Sequence, residues 1–221
     1  MGARPALSLQ SLQAFKRDYP QYFDADALAK ARPHFRRVAG CGFMAVLPTL
    51  SPAGHRVVVS APALMPEELL ADAEATEAVL VFGFWLCERL VRDPAVQVHG
   101  MACLVSYAGM SFGRFMALSG LLPLPVRLRF QRCFAVRYGS VLIFEAPPFF
   151  AGFFALLRPL LPAKLAQRVR FVGDGPGEAL AATRELVPDA AAPLAGADDA
   201  ATREAALAWL DEQLRLEERG L

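Results

Sequence analysis

The stretch that decides the fold runs from Val98 to Gly173: VHGMACLVSYAGMSFGRFMALSGLLPLPVRLRFQRCFAVRYGSVLIFEAPPFFAGFFALLRPLLPAKLAQRVRFVG. Residues 101–105 are a short apolar run that breaks at Gly109, the pattern of a buried strand. A helical region follows with Phe112, Phe115 and Leu118. Residues 121–134 read as a second helix, in which Arg127, Arg129 and Arg132 are spaced among Leu128, Phe130 and Phe134. Residues 138–144 form the next strand, Pro147-Pro148 opens a very apolar helix, and residues 169–172 give a third short strand ending at Gly173. Strands separated by helical segments predict crossover units on a parallel or mixed sheet, hence an α/β fold.

The helix after Pro148 is unusual. Phe149, Phe150, Phe153, Phe154, Leu156 and Leu157 cover more than one of its faces. A surface helix needs only one apolar stripe, so such a segment is buried, covers a ligand cavity or meets a membrane. Arg158-Pro159 interrupts it well short of the ~20 apolar residues that a membrane span requires.

Working outward, residues 7–19 form a helix with Leu9, Leu12 and Phe15 on one face, ended by Pro20. Asp24 or Asp26 can cap a short helix through Ala31, before Pro33. Residues 42–47 and 56–60 are β-rich runs around the turn SPAGH, a hairpin pattern. Pro66 begins a long helix to Val91, with acids in its first turn and an apolar second half over residues 78–86. Beyond Gly173 come a loop, a short helix at residues 178–186 and an Ala/Pro/Gly-rich linker at 187–199. A last helix is capped by Thr202 and carries Leu207, Trp209, Leu210 and Leu214.

The length of 221 residues suits one large domain with a sizeable core. Hydrophobic residues make up 55%, and the charged 20% lies below the usual quarter. The sixteen Phe suit either a lipid pocket or a large plain core. A net charge of +1 provides no bulk field for nucleic acid. Residues 1–19 carry no apolar signal-peptide core, and GARPAL lacks the Ser or Thr that myristoylation prefers. Cys41, Cys87, Cys103 and Cys133 are widely spaced without a CxxC pair, which favours reduced thiols in a cytoplasmic protein.

Catalytic patterns are weak. His34, His55 and His99 are far apart in the chain. Ser106 follows a strand, but Leu104 and Ala108 stand where a nucleophile elbow needs glycines. The loop at 173–177 has Pro176 in place of an amide donor and no following Lys-Ser/Thr. No metal-ligand cluster is apparent, so neither a metal nor a cofactor is expected. Lys164 and Arg168, four apart, share one side of a helical turn, and Arg137 begins the strand leading to it. Such cations can hold an anionic phosphate or can be ordinary solvated charge.

Several features combine in one order and spacing. They are Gln97-Val98-His99-Gly100, Gly109, Glu145-Ala146-Pro147-Pro148-Phe149-Phe150, Leu157-Arg158-Pro159-Leu160-Leu161, Lys164-Leu165, Arg168-Val169 and Val172-Gly173. Together they resemble the CRAL-TRIO lipid-binding domain family, in its tocopherol- and retinaldehyde-carrier branch. The likeness reaches back weakly to Phe15 and forward to about Trp209. It implies a mixed, largely parallel sheet flanked by helices, with an apolar pocket closed by a gate helix from Pro148 to about Lys164. It also implies a shortened helical N-terminal segment at residues 1–35, the lipid-binding domain at 36–196 and a C-terminal helix at 197–221.

By the same resemblance, Leu80, Gly83, Phe84 and Cys87 line the pocket with Met101, Val105, Phe112, Leu118, Phe130, Phe134, Phe150, Phe153, Phe154 and Leu157. Arg137, Lys164 and Arg168 match phosphoinositide contacts, with Lys16 as a loosely aligned fourth. A further basic position of the family falls on Gly139, an acidic one on Ser106, and a Gly-Gly pair is reduced to Gly196. The implied function is non-enzymatic. The chain would bind a tocopherol- or retinoid-like lipid or a phospholipid and transfer it between membranes. It would be cytoplasmic, touching phosphoinositide-containing, endosome-type membranes transiently. The alternative is a regulatory or scaffold module whose pocket is filled by its own large side chains.

Overall fold

A computed structural model of the chain describes residues 4–134, 136–173, 175–190 and 200–220. The chain opens with α1 (Arg4–Asp18) and α2 (Ala25–Gly40), then the hairpin β1 (Met44–Leu50) and β2 (Arg56–Ser60). α3 (Glu68–Ala71), α4 (Ala73–Arg92) and α5 (Pro94–Val98) lead to β3 (Met101–Ser106). α6 (Phe112–Gly120) and α7 (Leu124–Cys133) lead to β4 (Tyr138–Phe144). α8 (Pro148–Leu157), a 3-10 turn at Arg158–Leu160 and α9 (Ala163–Ala166) lead to β5 (Val169–Phe171). α10 (Pro176–Leu186) and α11 (Ala200–Glu218) complete the described elements.

The strands form one five-stranded sheet in sequence order, β1-β2-β3-β4-β5. β1 and β2 are antiparallel around the SPAGH loop, and the other pairings are parallel. Because each crossover steps one strand in the same direction, a single handedness puts all the crossover helices on one face. The packing follows. Val58, Met101, Cys103, Val141 and Ile143 point to that front face, against α4, α6 and α8. Val57, Val59, Ala102, Leu104, Leu142 and Phe144 point to the back, where Ala182 and Leu186 of α10 cover them. Register supports the division: Cys103 lies between Val58 and Val141, and Leu104 between Val59 and Leu142.

Several expected boundaries move. The helix expected from Pro66 to Val91 breaks at Asp72, whose extended backbone ends α3. Its side chain accepts from the Ala75 amide and restarts the chain as α4. α2 continues through Pro33 instead of stopping at Ala31. An internal proline forfeits one helical hydrogen bond, and burial of Ala31, Phe35 and Val38 on both sides of it holds the helix together. α7 begins at Leu124 after Pro123, not at residue 121. α11 is already helical before Thr202, which is buried inside it rather than capping it. The boundary expected at 35/36 falls within α2; Gly196, the 196/197 boundary and most of the 187–199 linker lie outside the described residues.

α11 is tied to the front layer by one carboxylate. Glu217 accepts from Trp85 Nε1 at 2.7 Å and pairs with Arg32 and Arg89. Desolvation pulls its carboxyl up, but the hydrogen bonds from Trp85, Arg32 and Arg89 outweigh that and hold it below its ordinary value.

Candidate functional site

α4 packs along most of its circumference. Val79, Val81, Phe82, Phe84, Trp85, Leu86 and Leu90 are buried. One helical stripe is different: Leu80, Gly83, Cys87 and Val91 are only half-buried. A Cβ added at Gly83 would meet no heavy atom within 4 Å. Across from this stripe stands the front face of the central strand. There Cys103 and Val105 are also half-buried, although β3 has neighbours on both sides.

These positions are deep. Desolvation pushes the Cys87 and Cys103 thiols up to about 12, and raises Tyr138 further with added repulsion from both thiols. Tyr107, past the end of β3, is pushed up to about 12 by burial. Protein interiors are normally close-packed. A side chain that is strongly desolvated yet only half-covered borders space that protein atoms do not fill. Cys103, Leu118 and Tyr138 each touch both the α4 cluster and the α8 cluster without being fully enclosed by either. A seam therefore runs between α4 and the front of the sheet, under α6 and α8. Among the described residues, neither the Tyr107 nor the Tyr138 hydroxyl has a hydrogen-bond partner.

The expected lining residues divide among several places. Gly83, Cys87, Val105 and Leu118 border the seam. Leu80 also lines a surface hollow of about 480 Å³ with Tyr22, Leu70 and Thr76. Phe84 turns away into an aromatic cluster: Phe15, Phe23 and Phe130 surround it, the last edge-on at 4.8 Å. Phe130 also stacks on Phe134, which is buried, as is Met101. Phe112 is 61% exposed. Cys103, Tyr107 and Tyr138 join the seam without having been singled out. Strand alternation from Met101 and Val105 was the signal available for Cys103.

α8 lies over this region as a cover. Phe150 is buried against Tyr107, ring centroids 4.3 Å apart. Phe153 meets Phe115 at 4.6 Å and Phe154 meets Phe171 at 5.3 Å, while Leu157 is half-buried. Its outer side is also apolar: Leu156 is 77% exposed, and Phe112, Met116, Leu160 and Phe171 are exposed around it. The segment from Pro148 to Lys164 is thus α8, a turn and the start of α9 rather than one continuous helix. Among the described residues, no helix is long and apolar enough to cross a membrane.

The three expected headgroup cations are exposed. Arg137 donates to the Val98 carbonyl at 2.5 Å. Arg168 donates to the carbonyls of Tyr138 and Gly139. Both therefore sit where the parallel strands begin, and Lys164 is on α9 one turn ahead of Arg168. Among the described residues, none of the three has a carboxylate partner. Lys16 is engaged elsewhere, paired with Glu88 at 2.5 Å beside the Phe23 ring.

Ser106 is buried. Its hydroxyl donates to Glu145 Oε2 at 3.2 Å and accepts from the Ala108 amide. Among the described residues, no histidine hydrogen-bonds it. All four cysteines are free. Among the described residues, no group of three or more His, Cys, Asp or Glu could hold a metal ion.

The CRAL/TRIO domain model matches residues 42–182, from the start of the sheet into α10. An alpha-tocopherol transfer protein-like protein of Mus musculus is 28% identical over 154 residues, covering 69% of this chain and 42% of that protein. Its Homo sapiens counterpart is 27% identical over 161 residues, covering 72% and 44%. Clavesin-2 of Rattus norvegicus is 23% identical over 145 residues, covering 64% and 42%. The chain spans under half the length of these curated relatives. The crystal structure of Sfh5 covers 73% of this chain and 66% of its own at 12% identity, with a TM-score of 0.43, too loose a likeness to carry an argument. With a family match over more than half of its residues, the chain belongs to the CRAL/TRIO domain family.

Proposed function

We propose that this chain binds a hydrophobic lipid in the seam between α4 and the front of the sheet and passes it between membranes. The observation that carries this reading is the half-buried stripe of Gly83 and Cys87 facing Cys103 and Val105 deep in the fold. An apolar void stays dry and accepts an apolar guest, and each methylene moved there from water contributes about 0.8 kcal/mol. The unpartnered Tyr107 and Tyr138 hydroxyls suit a lipid with one or two polar atoms, which would hydrogen-bond to them. Membership in the CRAL/TRIO family supports lipid binding and transfer at the family level, and supports a carrier rather than an enzyme.

On this reading α8 is the gate. Its inner Phe150, Phe153 and Phe154 cover the seam, and its outer Leu156, with Phe112, Met116 and Leu160, enters the interfacial layer of a bilayer. Arg137, Lys164 and Arg168 hold a phosphoinositide headgroup on the cytoplasmic side of the membrane, in a peripheral and transient contact. Headgroup binding favours an open gate only to the extent that the open form binds it better.

Lys164→Glu with Arg168→Glu tests the surface part. At ~1 kcal/mol per basic residue near an anionic surface, the double reversal should weaken binding to phosphoinositide vesicles by tenfold or more. Sedimentation with such vesicles reads this directly, and unchanged binding would overturn the headgroup assignment.

A second reading keeps the fold and drops transfer, with the pocket filled by the protein's own rings. The mutual packing of Phe84, Phe130 and Phe134, and of Phe115, Phe150 and Phe153, favours it.

A further inference from the structure

The strand-start edge of the sheet gathers more than the three expected cations. His55, the last residue of the hairpin loop, lays its imidazole over Gly139, where an added Cβ would collide with the ring. His99, after α5, packs its ring against Gly54, whose added Cβ would lie 2.8 Å from His99 Cγ. Residues 55, 99, 137 and 168 stand just before β2, β3, β4 and β5 respectively. The parallel pairing of these strands therefore brings two imidazoles and two guanidiniums to one edge, although the histidines are 44 positions apart in the chain.

We propose that His55, assisted by His99, completes a phosphate-binding site with Arg137 and Arg168, and that protonation of His55 makes anion binding at this edge pH-dependent. This rests on the headgroup reading above and adds its regulation. Residue 139 is a glycine, and the His55 ring occupies the space that a side chain there would take.

The surroundings of His55 are specific. Ser51 Oγ lies 3.2 Å from Nδ1. Arg168, His99 and Arg137 act on it from the starts of the neighbouring strands. Asp93, six residues before His99, is held by Arg56 at 2.9 Å. Desolvation, then repulsion from Arg168, His99 and Arg137, keeps His55 below its ordinary value, so it is neutral at pH 7. A bound phosphate offsets the repulsion and raises the value, so binding takes up a proton and strengthens as pH falls. His34 sits elsewhere, 3.8 Å from Glu74, and serves as the control.

The test has a vesicle arm and a soluble arm. In the first, wild type, His55→Gln and His34→Gln are sedimented with phosphatidylcholine vesicles carrying a phosphatidylinositol bisphosphate, at about pH 7.5 and about pH 5.5. Comparison under identical vesicles cancels the titration of the lipid phosphate itself. Wild type and His34→Gln should gain about fivefold over His55→Gln on acidification, the scale of one added charge-assisted contact at a partly exposed site. In the second, the His55 pKa is followed by NMR with and without inositol trisphosphate and inorganic phosphate. A rise with the soluble anions identifies free phosphate as sufficient; a vesicle response with no soluble response identifies the membrane-held headgroup as the ligand. An equal pH response in wild type and His55→Gln, with no movement of the His55 pKa, would overturn the proposal. If Arg168→Glu still abolished vesicle binding in that case, the headgroup reading would stand and only its regulation by His55 would fall.

Discussion

Alternate residues of β3 meet two different environments. Ala102 and Leu104 face α10 and are 0% and 1% exposed; Cys103 and Val105 face α4 and α8 and remain half-buried. The backbone of the strand is the same for both sets, and so is its pairing with β2 and β4. The difference lies in what covers each face. The back is closed by α10 with small and medium apolar side chains such as Ala182 and Leu186. The front is spanned by helices bearing bulky rings that pack on one another, and Cys103 touches both of their clusters without being enclosed by either. One face thus supplies stability, and the other trades part of it for space.

The contrast predicts unequal costs for trimming the two faces. Leu104→Ala on the back should destabilise the protein by about 2–5 kcal/mol in urea unfolding, because it opens a cavity in filled packing. A truncation at Val105 costs clearly less, since that side chain already borders unfilled space. Equal losses would mean that the two faces are packed alike.

A smaller effect is expected at the tie that holds α11 to the front layer. Glu217→Gln removes the carboxylate charge that Arg32 and Arg89 pair with and should cost about 1–3 kcal/mol. The carboxyl lies below its ordinary value when folded, so its contribution is fully present above the ordinary glutamate range and is lost as pH falls through and below it. Thermal unfolding against pH should show wild type and Glu217→Gln converging in acid. Parallel curves would show that Glu217 holds α11 by some means other than charge.

Much of this layout was legible in the chain. Residues 138–144 form β4 as expected, because a run this short, followed by Pro147-Pro148, favours a strand over a helix. The SPAGH hairpin and the parallel crossovers follow from turn chemistry and from the alternation of strand and helix. What was not legible depended on tertiary packing. Pro33 reads as a helix end, but burial of Phe35 and Val38 carries the helix past it. Asp72 falls inside the helix expected from Pro66 to Val91, yet it stops one helix and caps the next. The apolar second half of α4 announced burial but not which stripe would be left open. That depends on which way Phe84 and Phe130 turn, and they turn toward Phe15. The His55–Gly139 contact joins residues 84 positions apart, and no local pattern encodes it.

The most direct test of the open front face fills it. Gly83→Leu places a side chain where a Cβ meets nothing within 4 Å, inside a helix where glycine is unfavourable, so the fold should be kept and stability should rise by about 0.5–1 kcal/mol. Native mass spectrometry after incubation with mixed liposomes should find wild type carrying one lipid and Gly83→Leu largely empty. A wild type that stays empty, or a Gly83→Leu protein that loads lipid equally well, would contradict the assignment of the seam as the lipid site.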